Sequence, residues 1–91
     1  MKMTMGKEGL EFSWQAKFPE TTKCVHCSGE SRIGFVVHEG MEEKLKPEEY
    51  VCSLHHNDPK GGRGYWLHDC CAVAIYFCRK CLLTTSLYNQ A

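Results

Sequence analysis

The chain has 91 residues, 43% of them hydrophobic, and eleven basic and eleven acidic side chains that cancel to a formal net charge of zero. A chain this short folds as one small domain with little net stability once the entropy of ordering is subtracted, so a covalent or metal staple is expected. The apolar content excludes disorder throughout, and neutrality excludes a molecule-wide field drawing the chain to nucleic acid or an anionic membrane.

Residues 1–10 (MKMTMGKEGL) are expected to be a flexible N-terminal segment, with a single domain over 11–91. From Glu11 to Phe18, polar residues alternate with Phe12, Trp14, Ala16 and Phe18, a period of two that predicts a short half-buried strand. Lys23 to Gly29 (KCVHCSG) is a tight turn bearing Cys24 and Cys27, in which backbone N–H groups can point at metal-bound sulfur. Arg32 to His38 (RIGFVVH) is rich in β-branched and aromatic residues and reads as a strand. Glu39 to Glu49 turns acidic, a solvated face or a docking site for a basic partner, and Pro47 can open a short helix to about Leu54.

His56 to Gly64 (HNDPKGGRG) is a loop by composition. Tyr65–His68 and Ala72–Phe77 read as strands, the second with Val73, Ile75 and Phe77 on one face. A helix capped by Asp69 is the rival for the second. The last ten residues, LLTTSLYNQA, are a helix or a strand; in the helical reading Leu83 and Leu87 share a face. Trp66 and Tyr76 are the large side chains best placed to fill a core.

Seven cysteines in a chain whose N-terminus shows no apolar signal-peptide core point to metal binding in a reducing, intracellular (cytoplasmic) setting rather than to a disulfide framework. No stretch approaches the roughly 20 apolar residues of a membrane span, so no membrane partner is expected. Cysteine and histidine together form four pairs of two-residue spacing that share no member. They are Cys24 with Cys27, Cys52 with His55, His68 with Cys71, and Cys78 with Cys81. This spacing lets a pair bend around one ion at about 2.0–2.3 Å while a second pair closes the tetrahedron, and mixed thiolate and imidazole suit Zn²⁺. Eight ligands would fill two closed sites, with no position open to water or substrate, so the sites are structural and no enzyme is expected. A simpler arrangement keeps one zinc on Cys24, Cys27, Cys78 and Cys81, and Cys52, Cys70 and Cys71 then become small buried hydrophobes. His26, His38 and His56 are expected to be surface or strand residues, His56 being placed to replace its neighbour His55.

The run YWLHDCC followed by YFCRKC resembles the segment shared by treble-clef and cross-brace zinc fingers of the RING, PHD and LIM kinds. The resemblance spans Cys24 to Cys81 and implies one zinc on Cys24, Cys27, His68 and Cys71 and another on Cys52, His55, Cys78 and Cys81. Twelve residues between His55 and His68, and only six between Cys71 and Cys78, depart from the spacing of a RING.

The expectation is thus a small α+β domain of short β-hairpins with one or two short helices, folded around two zincs or one. Its expected role is a structural-zinc module for macromolecular, mainly protein, interaction. The alternative is a zinc-ribbon-like nucleic-acid-binding or transcription-regulatory protein using Lys60–Gly64 and Arg79–Lys80.

Overall fold

The computed structural model describes residues 2–38 and 71–91. These form strands β1 (Lys2–Met5), β2 (Thr21–Lys23), β3 (Glu30–His38), β4 (Cys71–Cys78) and β5 (Thr84–Gln90), with a 3₁₀ helix, η1, over Gly6–Glu11. All five strands join one antiparallel sheet in the order β1-β3-β4-β5. The short β2 shares β1's side of β3: β1 pairs with Phe35–His38, and β2 with Glu30–Arg32.

This overturns the α+β expectation, because η1 is the only helical element among the described residues and is six residues long. A helix running on from Asp69 loses to β4 for a packing reason. Ala72, Ala74 and Tyr76 alternate onto a buried face, which a strand's period of two satisfies and a helix's does not. The chain end is also a strand, with Leu83 exposed ahead of it and Leu87 partly buried within it. The helix expected from Pro47, the loop over 56–64 and the strand over 65–68 lie outside the described residues. No helix among the described residues is long and apolar enough to cross a membrane.

The N-terminal residues supply β1 and η1, β1 pairing with β3 and η1 bringing Leu10 to one face of the sheet. Leu10 and Phe18 are buried against Val36, Ala72, Ala74 and Tyr76, with Phe12, Trp14, Ile33 and Leu87 packed around them. Alanine at 72 and 74 keeps β4 low enough for those larger side chains to lie across it. The Tyr76 hydroxyl, at the centre of this layer, donates to the Pro19 carbonyl at 2.6 Å.

Residues 12–18 are irregular rather than the expected strand. Ser13 is the local cause: its hydroxyl donates to the Ala16 carbonyl at 2.7 Å and accepts the Gln15 N–H at 3.2 Å, a side-chain alternative to ladder pairing. The segment is tied to β5 by side chains instead. The Asn89 carbonyl oxygen accepts the Trp14 N–H at 3.2 Å, and the Asn89 amide donates to Ser13 Oγ at 2.8 Å.

On β4 the better-buried face is the opposite of the one marked by Val73, Ile75 and Phe77, of which Phe77 is largely exposed. Its ring lies across Gly34, where β3 slips register against β4, so a Cβ at Gly34 would collide with Phe77 Cε2.

Candidate metal centre

Two turns project from the same end of the sheet, one between β2 and β3 and one between β4 and β5. They are built alike. In the first, the Cys24 N–H donates to the Gly29 carbonyl at 2.8 Å and the Ser28 N–H to the Cys24 carbonyl at 3.0 Å. In the second, Cys78 N–H donates to the Leu83 carbonyl at 3.0 Å and Leu82 N–H to the Cys78 carbonyl at 3.2 Å. Each turn closes through a residue in the left-handed region, Ser28 at φ 64° and Leu82 at φ 63°. Each also aims backbone N–H groups at its leading sulfur: His26 N–H to Cys24 Sγ and Lys80 N–H to Cys78 Sγ, both at 3.3 Å.

The turns meet through their cysteines. Cys24 Sγ lies 3.7 Å from Cys81 Sγ, and Cys27 Sγ 3.5 Å from Cys78 Sγ, and all four sulfurs lie within 4.8 Å of one another. Four sulfurs around one zinc at ~2.3 Å have edges of about 3.8 Å, so the cluster fits a single tetrahedral ion. Cys24 and Cys78 are buried, Cys81 is half-buried and Cys27 exposed. Gly29 clears the approach, since a Cβ there would stand 3.2 Å from both Cys27 Sγ and Lys80 Cδ.

The field at the sulfurs is uneven. N–H groups of Cys81 and Lys80 pull the Cys78 thiol down to about 6. The Cys27 and His26 N–H groups lower Cys24 in the same way. At Cys81 a Leu83 N–H works downward, but desolvation and the neighbouring Cys78, Cys24 and Cys27 together outweigh it and push the thiol up to about 12. One early thiolate beside a reluctant thiol is the pattern expected where sulfurs crowd before an ion neutralises them.

Other bonds hold the turns in place. Arg79 N–H donates to the Glu30 carbonyl at 3.0 Å, and its guanidinium meets the Glu30 carboxylate at 3.2 Å, joined there by Arg32 Nε at 3.4 Å. Arg79 first and Arg32 second hold the Glu30 carboxyl below its usual range. Across the gap, Val25 N–H donates to Thr85 Oγ1 at 3.1 Å, and His26 Nε2–H donates to the Thr84 carbonyl at 3.1 Å.

Of the eight expected ligands, the structure brings together Cys24, Cys27, Cys78 and Cys81. Cys52, His55 and His68 lie outside the described residues, as does His56. Cys71 opens the eight-residue strand that Cys78 closes, which separates them by about 23 Å at the rise of a strand. Its buried thiol donates to Tyr88 Oη at 3.0 Å, while the Tyr88 hydroxyl donates to Gln90 Oε1 at 2.6 Å. The cross-brace partnership of Cys24 and Cys27 with Cys71 is therefore replaced by one with Cys78 and Cys81. Reversal of the chain at each hairpin brings the outer pairs to one end of the sheet and leaves Cys71 at the other. His38 is buried and stacked on Phe12, with ring centroids 4.4 Å apart, and is no part of the cluster.

Glu30 and Thr85 support the site without any sequence signal, since their partners are remote in the chain. Gly29 and the paired Cys-x2-Cys spacing are the signals that were present. No family model matches the chain, and no curated protein or solved structure matches it either.

Proposed function

We propose that this protein is a small structural-zinc module that holds one Zn²⁺ on Cys24, Cys27, Cys78 and Cys81 and serves protein interaction. The observation that carries the reading is the convergence, within 4.8 Å, of four sulfurs from two separate hairpins. Four thiolates complete a tetrahedral zinc shell and leave no coordination position for water or substrate, which favours a structural over a catalytic role. N–H groups directed at Cys24 and Cys78 stabilise thiolate charge, as outer partners of structural sites do. When bound, the ion supplies a cross-link between the β2–β3 and β4–β5 hairpins in a chain too small to rely on its core alone. Free thiols of this kind keep their ligand role in a reducing, intracellular compartment, which is part of the same proposal.

The nucleic-acid alternative has less support in the charges. Of the Arg79–Lys80 pair, the Arg79 guanidinium is engaged by Glu30, and backbone recognition needs several free cations.

Native mass spectrometry of the purified chain tests the proposal. One zinc per chain is expected, lost in Cys24→Ser and in Cys78→Ser and retained in Cys71→Ser. Cobalt substitution is expected to give the visible bands of a tetrahedral tetrathiolate. A metal-free chain with an unchanged sheet by circular dichroism, or zinc lost with Cys71→Ser, would overturn it.

A further inference from the structure

The two turns that carry the sulfurs also carry three of the most exposed aliphatic side chains in the described structure. Val25 is 73% exposed, Leu82 76% and Leu83 52%. The hydrogen bonds of Val25 N–H to Thr85 and of His26 to the Thr84 carbonyl set the first turn beside the residues that follow Leu83. The three therefore belong to one tip rather than to scattered surface positions, and a clustered apolar patch on a small domain calls for an explanation.

Leu82 gives the patch a second, independent mark. It occupies the left-handed region at φ 63°, where a bulky residue is strained. The equivalent position in the first turn holds Ser28, a small residue at the same angle. Glycine or asparagine would close the turn more easily, and a leucine here gains nothing from burial. The turn requires the angle but not a leucine, so an exposed leucine kept at a strained position is left for a role outside folding.

Charge identifies the occupant. The segments 23–29 and 79–91 contain Lys23, Arg79 and Lys80 and no Asp or Glu, and the adjoining Glu30 is shared between Arg79 and Arg32. All three cations are exposed, Arg79 is engaged by Glu30, and Lys23 and Lys80 make no ion pair among the described residues. Lys23 and Lys80 alone offer a nucleic-acid backbone little to hold, since its binding scales with the phosphates neutralised. The tip also lacks the Trp and Tyr anchors of a membrane-interface surface. What fits is a protein segment with aliphatic side chains on one side and carboxylates flanking them.

From the strained, exposed Leu82 on the same tip as Val25 and Leu83, and from the exposed Lys23 and Lys80, we infer that the metal-bearing tip is a docking surface for an acidic amphipathic protein segment. The inference rests on the reading of the centre as a structural zinc site, which holds both turns in register. The aliphatic face of the segment covers Val25, Leu82 and Leu83, and its carboxylates meet Lys23 and Lys80.

The test uses the full zinc-loaded chain, with zinc content measured on every sample. Its probe is a fluorescein-labelled 18-residue helical peptide bearing leucine on one face and glutamate elsewhere. Saturable anisotropy is expected, weakened by salt, with NMR methyl shifts centred on Val25, Leu82 and Leu83. Leu82→Asn is expected to weaken binding at least tenfold while leaving the melting temperature equal or higher, because asparagine tolerates the left-handed angle. Lys80→Glu is expected to reverse the preference toward a peptide with lysine in place of glutamate.

Equal binding of the lysine peptide by the unaltered chain would overturn the inference. So would tighter binding to phosphatidylserine vesicles or single-stranded DNA, or a melting temperature lowered by Leu82→Asn. Absence of saturation with zinc bound and the sheet intact sinks the docking surface alone, whereas absence of zinc sinks the metal centre first.

Discussion

Cys78 and Cys81 sit in the same turn, yet one is pulled down to about 6 and the other pushed up to about 12. A depressed thiol is a thiolate above its shifted value and binds metal there without first losing a proton. A raised thiol must give up its proton to the incoming ion at neutral pH. Zinc affinity is therefore expected to rise with pH, and to fall more steeply below about 6, where Cys78 also becomes protonated. Competition titrations against a chelator at several pH values would check this, and pH-independent affinity would contradict it. At Glu30 the sign is the same for a different reason. Its lowered carboxyl favours the folded state above the ordinary carboxylate value, and that contribution fades as acid protonates it. The group is half exposed and screened by solvent, so Glu30→Gln is expected to lower stability only slightly, read from denaturant melts.

Among the elements, η1 matters more to the fold than its six residues suggest. It turns Leu10 into the core, and at Gly9 it passes so close to the sheet that a Cβ would stand 2.8 Å from the Thr4 carbonyl and 3.0 Å from Val36 Cβ. Neither backbone nor a buried Val36 can yield cheaply, so Gly9→Ala is expected to destabilise by about 1–3 kcal/mol, read from urea unfolding. Beneath it, the Tyr76 hydroxyl tethers β4 to Pro19. Tyr76→Phe keeps the buried ring and leaves the Pro19 carbonyl without that donor, an expected loss of about 0.5–1.5 kcal/mol. A stability unchanged in either variant would argue against this packing.

At the scale of the molecule, the sheet has two centres of cohesion. One is the apolar layer of N-terminal residues over β3 and β4; the other is the sulfur cluster at the end where both hairpins turn. The cluster joins residues 51 and 57 positions apart in the chain, so an ion there closes long loops and lowers the entropy of the unfolded state. Chelation is expected to unfold the β2–β3 and β4–β5 turns first and then the sheet, followed by amide hydrogen exchange with and without chelator. Exchange that remains slow at Cys24, Cys78 and Leu82 after stripping would show that the turns stand without metal.

Local chemistry was legible in the sequence. Cys-x2-Cys with a following glycine identified the first turn, and β-branched and aromatic density identified β3, while β4 was read as a strand with a helix as its rival. Their signals are short-range: two intervening residues set the bite of a pair, and a period of two sets a strand. Pairing of the pairs was open, because spacing along a chain does not say which distant pair shares an ion. Only the hairpins' reversal decided it, by bringing Cys78 and Cys81 to Cys24 and Cys27 and leaving Cys71 at the far end of β4. The same holds for the packing of the N-terminal residues, which no local pattern signals. Leu10 and Phe18 find a face to be buried on because the residues at 72 and 74, far along the chain, are alanines.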